Sequence, residues 1–449
     1  MSGSETEEAQ RPGTPRSAAS EANATESHSA VAKEELAKPF APLKIPLFRS
    51  FWIAGLISNL GTWMHETGAQ WLMTSLEPSP EMVSAVRTSM TIPIFFLALP
   101  AGVWADRFDR RKWLLGTQTV LLLIATLIAV LAFMQWMSPW LLLVLTAAMG
   151  IGMILNQPAW QSLTPELVPP ALVPSAVSVG SISFNLARSL GPLLAGLLIA
   201  GVGIWCPFVV NAVSFLAVIV VLLFWKEMAG ESESLEKAQP KRRRKPRFWD
   251  ELRKGLFVVR NSKELRNVLL RVFMFAMPAS ILWSLLPLVA TEKLGFQERG
   301  FGFCFGVIGA GAVAGAVVLP YLRTKLSSEI IVLTAQLVFA VLVMLIGATA
   351  SALFIVPALT LIGTCWMASM TTFNATAQVY LPREFRARGM SAFMMSFALA
   401  IALGSLTWGW LAYGTSLSWA YIAAACLMAF ACILAHPLQI GSLQPAARK

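Results

Sequence analysis

Glu66 is the only carboxylate that falls well inside any long apolar segment of this 449-residue chain. A charged group in hydrocarbon is expensive, so one found there is a candidate for function first. Asn59, Thr62 or Trp63, Glu66 and Gln70 recur at spacings of three and four. On a helix that spacing places them on one face, and such a polar stripe should look into a cavity rather than at lipid. Counted from the inner ends of their segments, Glu66 lies about 15 residues deep and Arg188 about 14, roughly 22 Å at 1.5 Å per residue. The two side chains could therefore meet. Such a pair can load and release a proton during a transport cycle, hold two helices together permanently, or leave a hydrated carboxylate that attracts cationic cargo. His65 adjoins Glu66 but points about 100° away, beside Gly61, Gly68 and Leu72, as a second proton carrier or a packing histidine.

Other groups could orient a ligand. Asn156, Asn185 and Asn374 are amides in apolar runs, suited either to bonding substrate or to bonding a neighbouring helix. Trp63, Trp160, Trp283, Trp366 and Phe373 could form an aromatic, weakly selective cavity wall or simply pack. Arg87 near the outer surface and Arg271 at an inner edge read as snorkelling side chains. The three histidines, His28, His65 and His436, are far apart, and no nucleophile with a base or cluster of metal ligands occurs in the apolar segments. Neither an enzyme nor a metal site is expected, and no GxxxxGK[ST] loop is present to bind ATP. No cofactor is implied. Cys206, Cys304, Cys365, Cys426 and Cys432 stand singly, without the spacing of a disulfide framework or zinc site.

The elements that must position these groups are evident from composition. Hydrophobic residues make up 56% of the chain and charged residues 13%, with a mean hydropathy of +0.65. About a quarter charged is usual for a soluble domain, so a polytopic α-helical membrane protein is indicated. Twelve apolar segments are predicted at 51–76, 82–103, 113–136, 139–163, 173–200, 204–225, 267–290, 300–321, 329–349, 351–376, 389–412 and 416–436. Alternate connections hold Lys44 and Arg49; Arg107, Arg110, Arg111 and Lys112; a large central cluster; Arg323 and Lys325; Arg383, Arg386 and Arg388; and Arg448 with Lys449. The other side holds only Lys293 and Arg299, so both termini are expected in the cytoplasm and the protein in the cell inner membrane. The connection around Glu166 is the one inner loop without a basic residue. The formal charge of +11 resides mostly in these loops, which argues against nucleic-acid binding.

The chain divides into a disordered tail at 1–46, a six-helix bundle at 47–226, a basic linker at 227–265, a second six-helix bundle at 266–438 and a short tail at 439–449. The linker carries Lys241-Arg-Arg-Arg-Lys245 and an amphipathic stretch from Phe248 to Phe257, which could bind anionic lipid or only anchor topology. The halves repeat weakly: Asn156-Gln-Pro-Ala-Trp-Gln-Ser-Leu-Thr-Pro165 parallels Asn374-Ala-Thr-Ala-Gln-Val-Tyr-Leu-Pro382. Gly191 and Gly196 in the fifth segment parallel Gly404 and Gly409 in the eleventh. Gly191, Pro192, Gly302, Gly306, Gly311, Gly315 and Gly404 are expected to permit close helix contact on the surfaces where the halves rock. Six spans, a linker and six similar spans describe a duplicated transporter with its site between the halves.

Gly102-Val-Trp-Ala-Asp106-Arg107-Phe-Asp109-Arg110-Arg111 resembles the loop motif G-x-x-x-D-R-x-G-R-R/K of the major facilitator superfamily, with Asp109 in place of the second glycine. The resemblance implies that Gly102 allows close helix approach. It implies too that Asp106 pairs with Arg110 near a helix N-terminus, as a latch closing the cytoplasmic side in one state. A narrower set, Phe48-Arg-Ser-Phe-Trp52, Ile57-Ser-Asn-Leu-Gly-Thr-Trp63, Asn156-Gln-Pro-Ala159 and Asn185-Leu-Ala-Arg-Ser-Leu-Gly-Pro192, resembles the branch of enterobactin exporters and macrolide efflux pumps. That branch implies a monomer exporting a small amphiphile in exchange for protons. A lysolipid or nutrient carrier on the same fold, or a non-transporting sensor, are the alternatives.

Overall fold

The structure is a computed structural model describing residues 40–229, 260, 262–380, 386–435 and 437–438. Twelve long helices run through these residues, and no strand occurs among them. They are α1 (Pro46–Leu76), α2 (Pro80–Arg107), α3 (Arg110–Phe133), α4 (Pro139–Leu163), α5 (Val173–Gly201) and α6 (Cys206–Ala229). Then follow α7 (Lys263–Leu288), α8 (Glu298–Lys325), α9 (Ser328–Ala348), α10 (Ala352–Tyr380), α11 (Arg386–Gly414) and α12 (Leu417–Ala435). Eleven are long and apolar enough to cross a bilayer. The exception is α1, equally long but diluted by its polar stripe. The two tails and most of the linker, including the Lys241–Lys245 cluster, lie outside the described residues.

Helix boundaries follow local chemistry. Proline occupies the first turn of α1, α2, α4 and α5, where its missing N–H costs nothing. Asp109 caps α3 by accepting from the Lys112 backbone N–H at 2.9 Å, and Ser138, Ser262 and Ser327 cap α4, α7 and α9 in the same way. The capping role also accounts for an aspartate where the motif has glycine. Pro46 starts α1 five residues before the predicted edge, so Glu66 lies 20 residues from the near end of its helix where about 15 was expected, while Leu76 ends the helix as predicted.

The packing repeats. Helix α1 packs on α5 and α6, α2 on α4, and α3 on α4 and α6. Adding six to each number gives the pairings of the second half: α7 on α11 and α12, α8 on α10, and α9 on α10 and α12. Between halves the main contacts are α2 with α11 and α5 with α8. This is the two-bundle major facilitator fold with its internal pseudo-symmetry.

The halves meet chiefly at one face. We call the face where α1 begins the near face, and the opposite one, bearing the 76–80 and 414–417 connections, the far face. Toward the far face Trp71 stacks on Phe301 with ring centroids 5.3 Å apart. One apolar core there runs through both halves, joining Leu72, Met73, Val83 and Val86 to Leu285, Phe301 and Trp408. At the near face a separate core, from Leu47 to Leu222, is built only from the first half.

Glycines set the spacing. A methyl group on Gly302 would lie 2.9 Å from Gly196 Cα, and one on Gly309 would lie 2.8 Å from Ser189 Cα. Helices α5 and α8 therefore touch backbone to backbone from their far ends to their middles. Continuing the same antiparallel register toward the near face brings Val313 opposite Asn185 and Val317 opposite Ser181. Val317 is 75% exposed and Val313 52%, and Ser181 is exposed too. Helices α5 and α8 have separated there, while Met395 of α11 still packs on Ala98 and Ala101 of α2, so the bundle is closed at the far face and opens toward the near face between α5 and α8.

Candidate functional site

The opening ends at a pocket near mid-bundle. Arg188 of α5 reaches it together with Trp63 of α1, Trp283 of α7, Phe305 of α8 and Trp366 of α10, and Gly309 and Gly363 leave room beside the rings. Trp283 lies 5.2 Å from Trp366 edge to face, and 5.9 Å from Phe305. The empty space, mouth included, is about 310 Å³, but the part a water molecule can enter is about 10 Å³, room for roughly one water. A much larger groove, about 940 Å³ on the same inclusive measure, lies between α3 and α6 and is lined by Leu122, Val130, Phe133, Trp205 and Leu216. It is almost wholly apolar and lies among outward-facing side chains, so it offers nothing to orient a polar cargo.

Glu66 and Arg188 do not pair. The Glu66 carboxylate accepts from Arg87 Nη1 of α2 at 2.7 Å, and each side chain is 15% exposed. Arg87 is thus an internal partner and not a snorkelling side chain. Gly191 of α5 packs directly on Trp63 of α1, so Glu66 lies three residues to the far side of that level and Arg188 three to the near side. A signal was present in the sequence: Glu66 stands ten residues before Leu76 and Arg87 seven after Pro80, so an antiparallel hairpin brings them level. Glu66 is also one helical turn from Trp63, about 4.5 Å along the axis at 1.5 Å per residue. The ion pair therefore adjoins the pocket.

The remaining polar candidates divide. Asn156 Oδ1 accepts from Thr117 Oγ1 at 3.0 Å and Gln118 Nε2 at 3.3 Å, joining α4 to α3. Asn185 donates to Ser181 O at 2.8 Å in its own helix, on the face that opens, and Asn374 accepts from Gln378 at 2.5 Å. Gln70 is buried with its Oε1 unpartnered, while Asn59 is half-buried. His65 is fully buried against Phe208 at 4.9 Å, turned toward α6 and away from the pocket. Trp160 packs on Phe51, and Phe373 is wholly buried beside Phe275. Arg271 is 2% exposed and bound to Glu329 of α9 at 2.5 Å, an internal pair where a snorkelling residue was expected.

At the near face the α2–α3 loop is tied within the first half. Arg110 pairs with Glu166, which supplies the basic contact that the Glu166 connection lacks in its own sequence. Arg111 donates to the Leu222 and Leu223 carbonyls at 2.7 and 2.9 Å, where a cation suits the end of α6. Arg107 makes contacts as well. The Asp106 side chain lies outside the described residues. Gly102 is not a site of close approach here, since a methyl group on it would meet nothing within 4 Å. The Arg110 and Glu166 side chains are 37% and 45% exposed, so their coupling should be below about 1 kcal/mol. A double-mutant cycle of Arg110→Ala and Glu166→Ala on thermal unfolding checks this, and a larger coupling would mean that the pair is shielded from water.

The glycines likewise separate into two groups. Gly302, Gly306 and Gly409 face the opposite half: Gly302 meets Gly196 and the Pro192 carbonyl, Gly306 meets Leu193, and Gly409 meets Ser84 and Pro80. Gly191 faces Trp63, Gly404 faces Met277, and Gly311 and Gly315 face Thr360 and Thr364. Those four lie inside their own halves, and rocking surfaces are the wrong description of them.

A helical duplication with this packing, closed at one face around a central pocket, is the architecture of a secondary transporter. A family model described as a transmembrane secretion effector matches residues 37–448. The chain belongs to the transmembrane secretion effector family of major facilitator transporters. It is a multi-pass membrane transporter and not an enzyme. The MFS-type transporter YfiS of Bacillus subtilis is 27% identical over 380 residues, spanning 83% of this chain and 88% of that one. The staphyloferrin A transporter of Staphylococcus aureus is 22% identical over 60% of this chain and 66% of its own. Macrolide efflux protein A of Streptococcus pyogenes is 22% identical over 53% and 58%. Among solved structures, the nucleoside transporter NupG has a TM-score of 0.70 at 11% identity, covering 87% of this chain and 99% of its own. A bacterial homologue of the iron transporter ferroportin has a TM-score of 0.61 at 17% identity, covering 87% and 98%. At those identities the structures share the fold alone.

Proposed function

We propose that this transporter exports a small amphiphilic molecule across the cell inner membrane by alternating access, in exchange for protons. The observation that carries the reading is the partly buried Glu66–Arg87 pair, set one helical turn from an aromatic pocket at the end of the opening. A carboxylate is the group that can gain and lose a proton there, and its protonation removes the attraction to Arg87. Helix α2, which bears Arg87, is also one of the two first-half helices in main contact with the second half. A proton taken up by Glu66 is thereby connected to the interface that must rearrange. Basic residues on the near-face connections support placing that face in the cytoplasm, with both termini. The described opening then receives cargo from inside. Similarity to a siderophore transporter and a macrolide efflux protein supports a bulky amphiphile.

Inside-out vesicles with a preformed acidic lumen test this. Siderophores, macrolides and amphiphilic dyes are added outside while lumenal pH is followed. A compound that enters and discharges the gradient only in vesicles containing the protein is the expected result. Uptake that moves no protons, or that continues unchanged without the gradient, would refute antiport.

A further inference from the structure

We propose that the Arg188 pocket recognises the carboxylate of an anionic amphiphile with a flat apolar body, and that Arg188 and the Trp283 indole N–H are the donors that hold it. The inference deepens the export reading and rests on the pocket being the cargo site.

The pocket contains donors that lack acceptors. A guanidinium presents five N–H groups in a fixed fork. Among the described residues, the one partner within bonding range of Arg188 is Met367 Sδ at 3.9 Å, a weak acceptor. The carboxylate nearest in sequence logic, Glu66, is engaged by Arg87. Trp283 is 8% exposed, and its Nε1–H has no acceptor although the atom is shielded from water. Both side chains line the same small space. Buried donors are normally satisfied, and a cation within a membrane bundle normally has a counter-charge. The complement to a guanidinium with no counter-charge and an indole N–H lining the same space is a group that only accepts and carries negative charge, and a carboxylate is both.

The enclosed space takes no more than the headgroup, so the rest of the ligand lies at its mouth. Trp63, Trp366 and Phe305 give flat apolar faces around the donors. The Arg188 charge opposes a cationic headgroup, and a neutral one leaves the guanidinium uncompensated. The pocket lies where α5 and α8 separate, at Ser189 and Gly309, so an anion bound there contacts both halves at the point where closure must begin.

The test uses the full chain in nanodiscs and three probes with one body: pyrenebutyrate, its methyl ester and the corresponding pyrenebutylamine. Tritiated pyrenebutyrate is measured by scintillation proximity and the other two by competition. Charge-assisted hydrogen bonds predict that wild type binds the carboxylate at least about tenfold tighter than the ester or the amine. In Arg188→Gln the carboxylate should fall to the affinity of the ester, whose own affinity stays within about twofold of wild type. Arg188→Lys should retain part of the preference, and Trp283→Phe should weaken the carboxylate alone by about three- to tenfold. Equal affinity for the three headgroups in wild type, no carboxylate binding up to its solubility limit, or a preference that survives Arg188→Gln would overturn the proposal. The two readings fail separately. Arg188-dependent carboxylate binding without proton movement sinks antiport and keeps this site. Proton-coupled uptake of neutral or cationic compounds with no carboxylate preference does the reverse.

Discussion

Glu66→Gln is expected to reduce proton movement in the vesicle assay to the level of vesicles lacking the protein. Glutamine keeps the length of the side chain and an oxygen that can accept from Arg87, but it has no proton to exchange. The variant should therefore fold and still bind cargo from the near face, so the loss would be in exchange and not in expression. Arg87→Gln differs in kind. It leaves a carboxylate of 15% exposure without its counter-charge, at a cost below the about 3–5 kcal/mol of breaking one side of a fully buried pair. Its melting temperature should fall more than that of Glu66→Gln, and the double replacement should recover part of the difference. The alternatives predict otherwise. If the pair only braces α1 against α2, Glu66→Gln will lower stability and leave proton flux intact. If the carboxylate only attracts cations, flux driven by neutral cargo will persist and uptake of cationic dyes alone will fall.

The second large effect separates two sets of glycines that look alike in sequence. Gly302→Val and Gly409→Val should leave each half folded but disfavour the far-closed state. A side chain at Gly302 runs into Gly196 and the Pro192 carbonyl, and one at Gly409 runs into Ser84. Those contacts exist only while the far face is shut, so the clash can be relieved by opening it. Overpacking of about 1–3 kcal/mol would move a two-state population by roughly five- to 150-fold. Cysteines placed at the exposed Ser181 and Val317 should lose reactivity to a water-soluble maleimide. One placed at the buried Val83 should gain it, with yield and melting near wild type. Gly311→Val has no such escape. Its side chain would strike the Thr360 carbonyl of α10, a helix of the same half, so loss of folded protein is expected. Equal collapse of all three variants would show that the α2–α11 and α5–α8 contacts are fixed packing and not a moving surface.

What could be read from the sequence is what depends on local composition and period. Twelve apolar segments of bilayer length, basic residues on alternate connections and the Gly102–Arg111 motif led to the membrane class, the duplication and the superfamily. Each helix follows its predicted segment to within a few residues. The hydrophobic effect and hydrogen-bond saturation in lipid act on every span separately, so the spans are written locally. Pairing is not. Glu66 joins Arg87 and leaves Arg188 without a carboxylate because Gly191 packs on Trp63, a register that sets Glu66 and Arg188 about six residues apart in height and that only packed helices express. His65 and the Glu66 stripe could be assigned to different faces by helical period, but which neighbour each face meets needed the bundle. Small residues at three- and four-residue spacing announce close approach in any helix. Whether the partner lies in the same half or across the interface is a fact of three dimensions. The sequence by itself determined a duplicated twelve-helix transporter with a charged stripe in its first span. The tertiary structure decided which charges are neutralised, which glycines face the opposite half, and that Arg188 and Trp283 line one pocket. These depend on distances between residues far apart in the chain, which pattern along one helix does not encode.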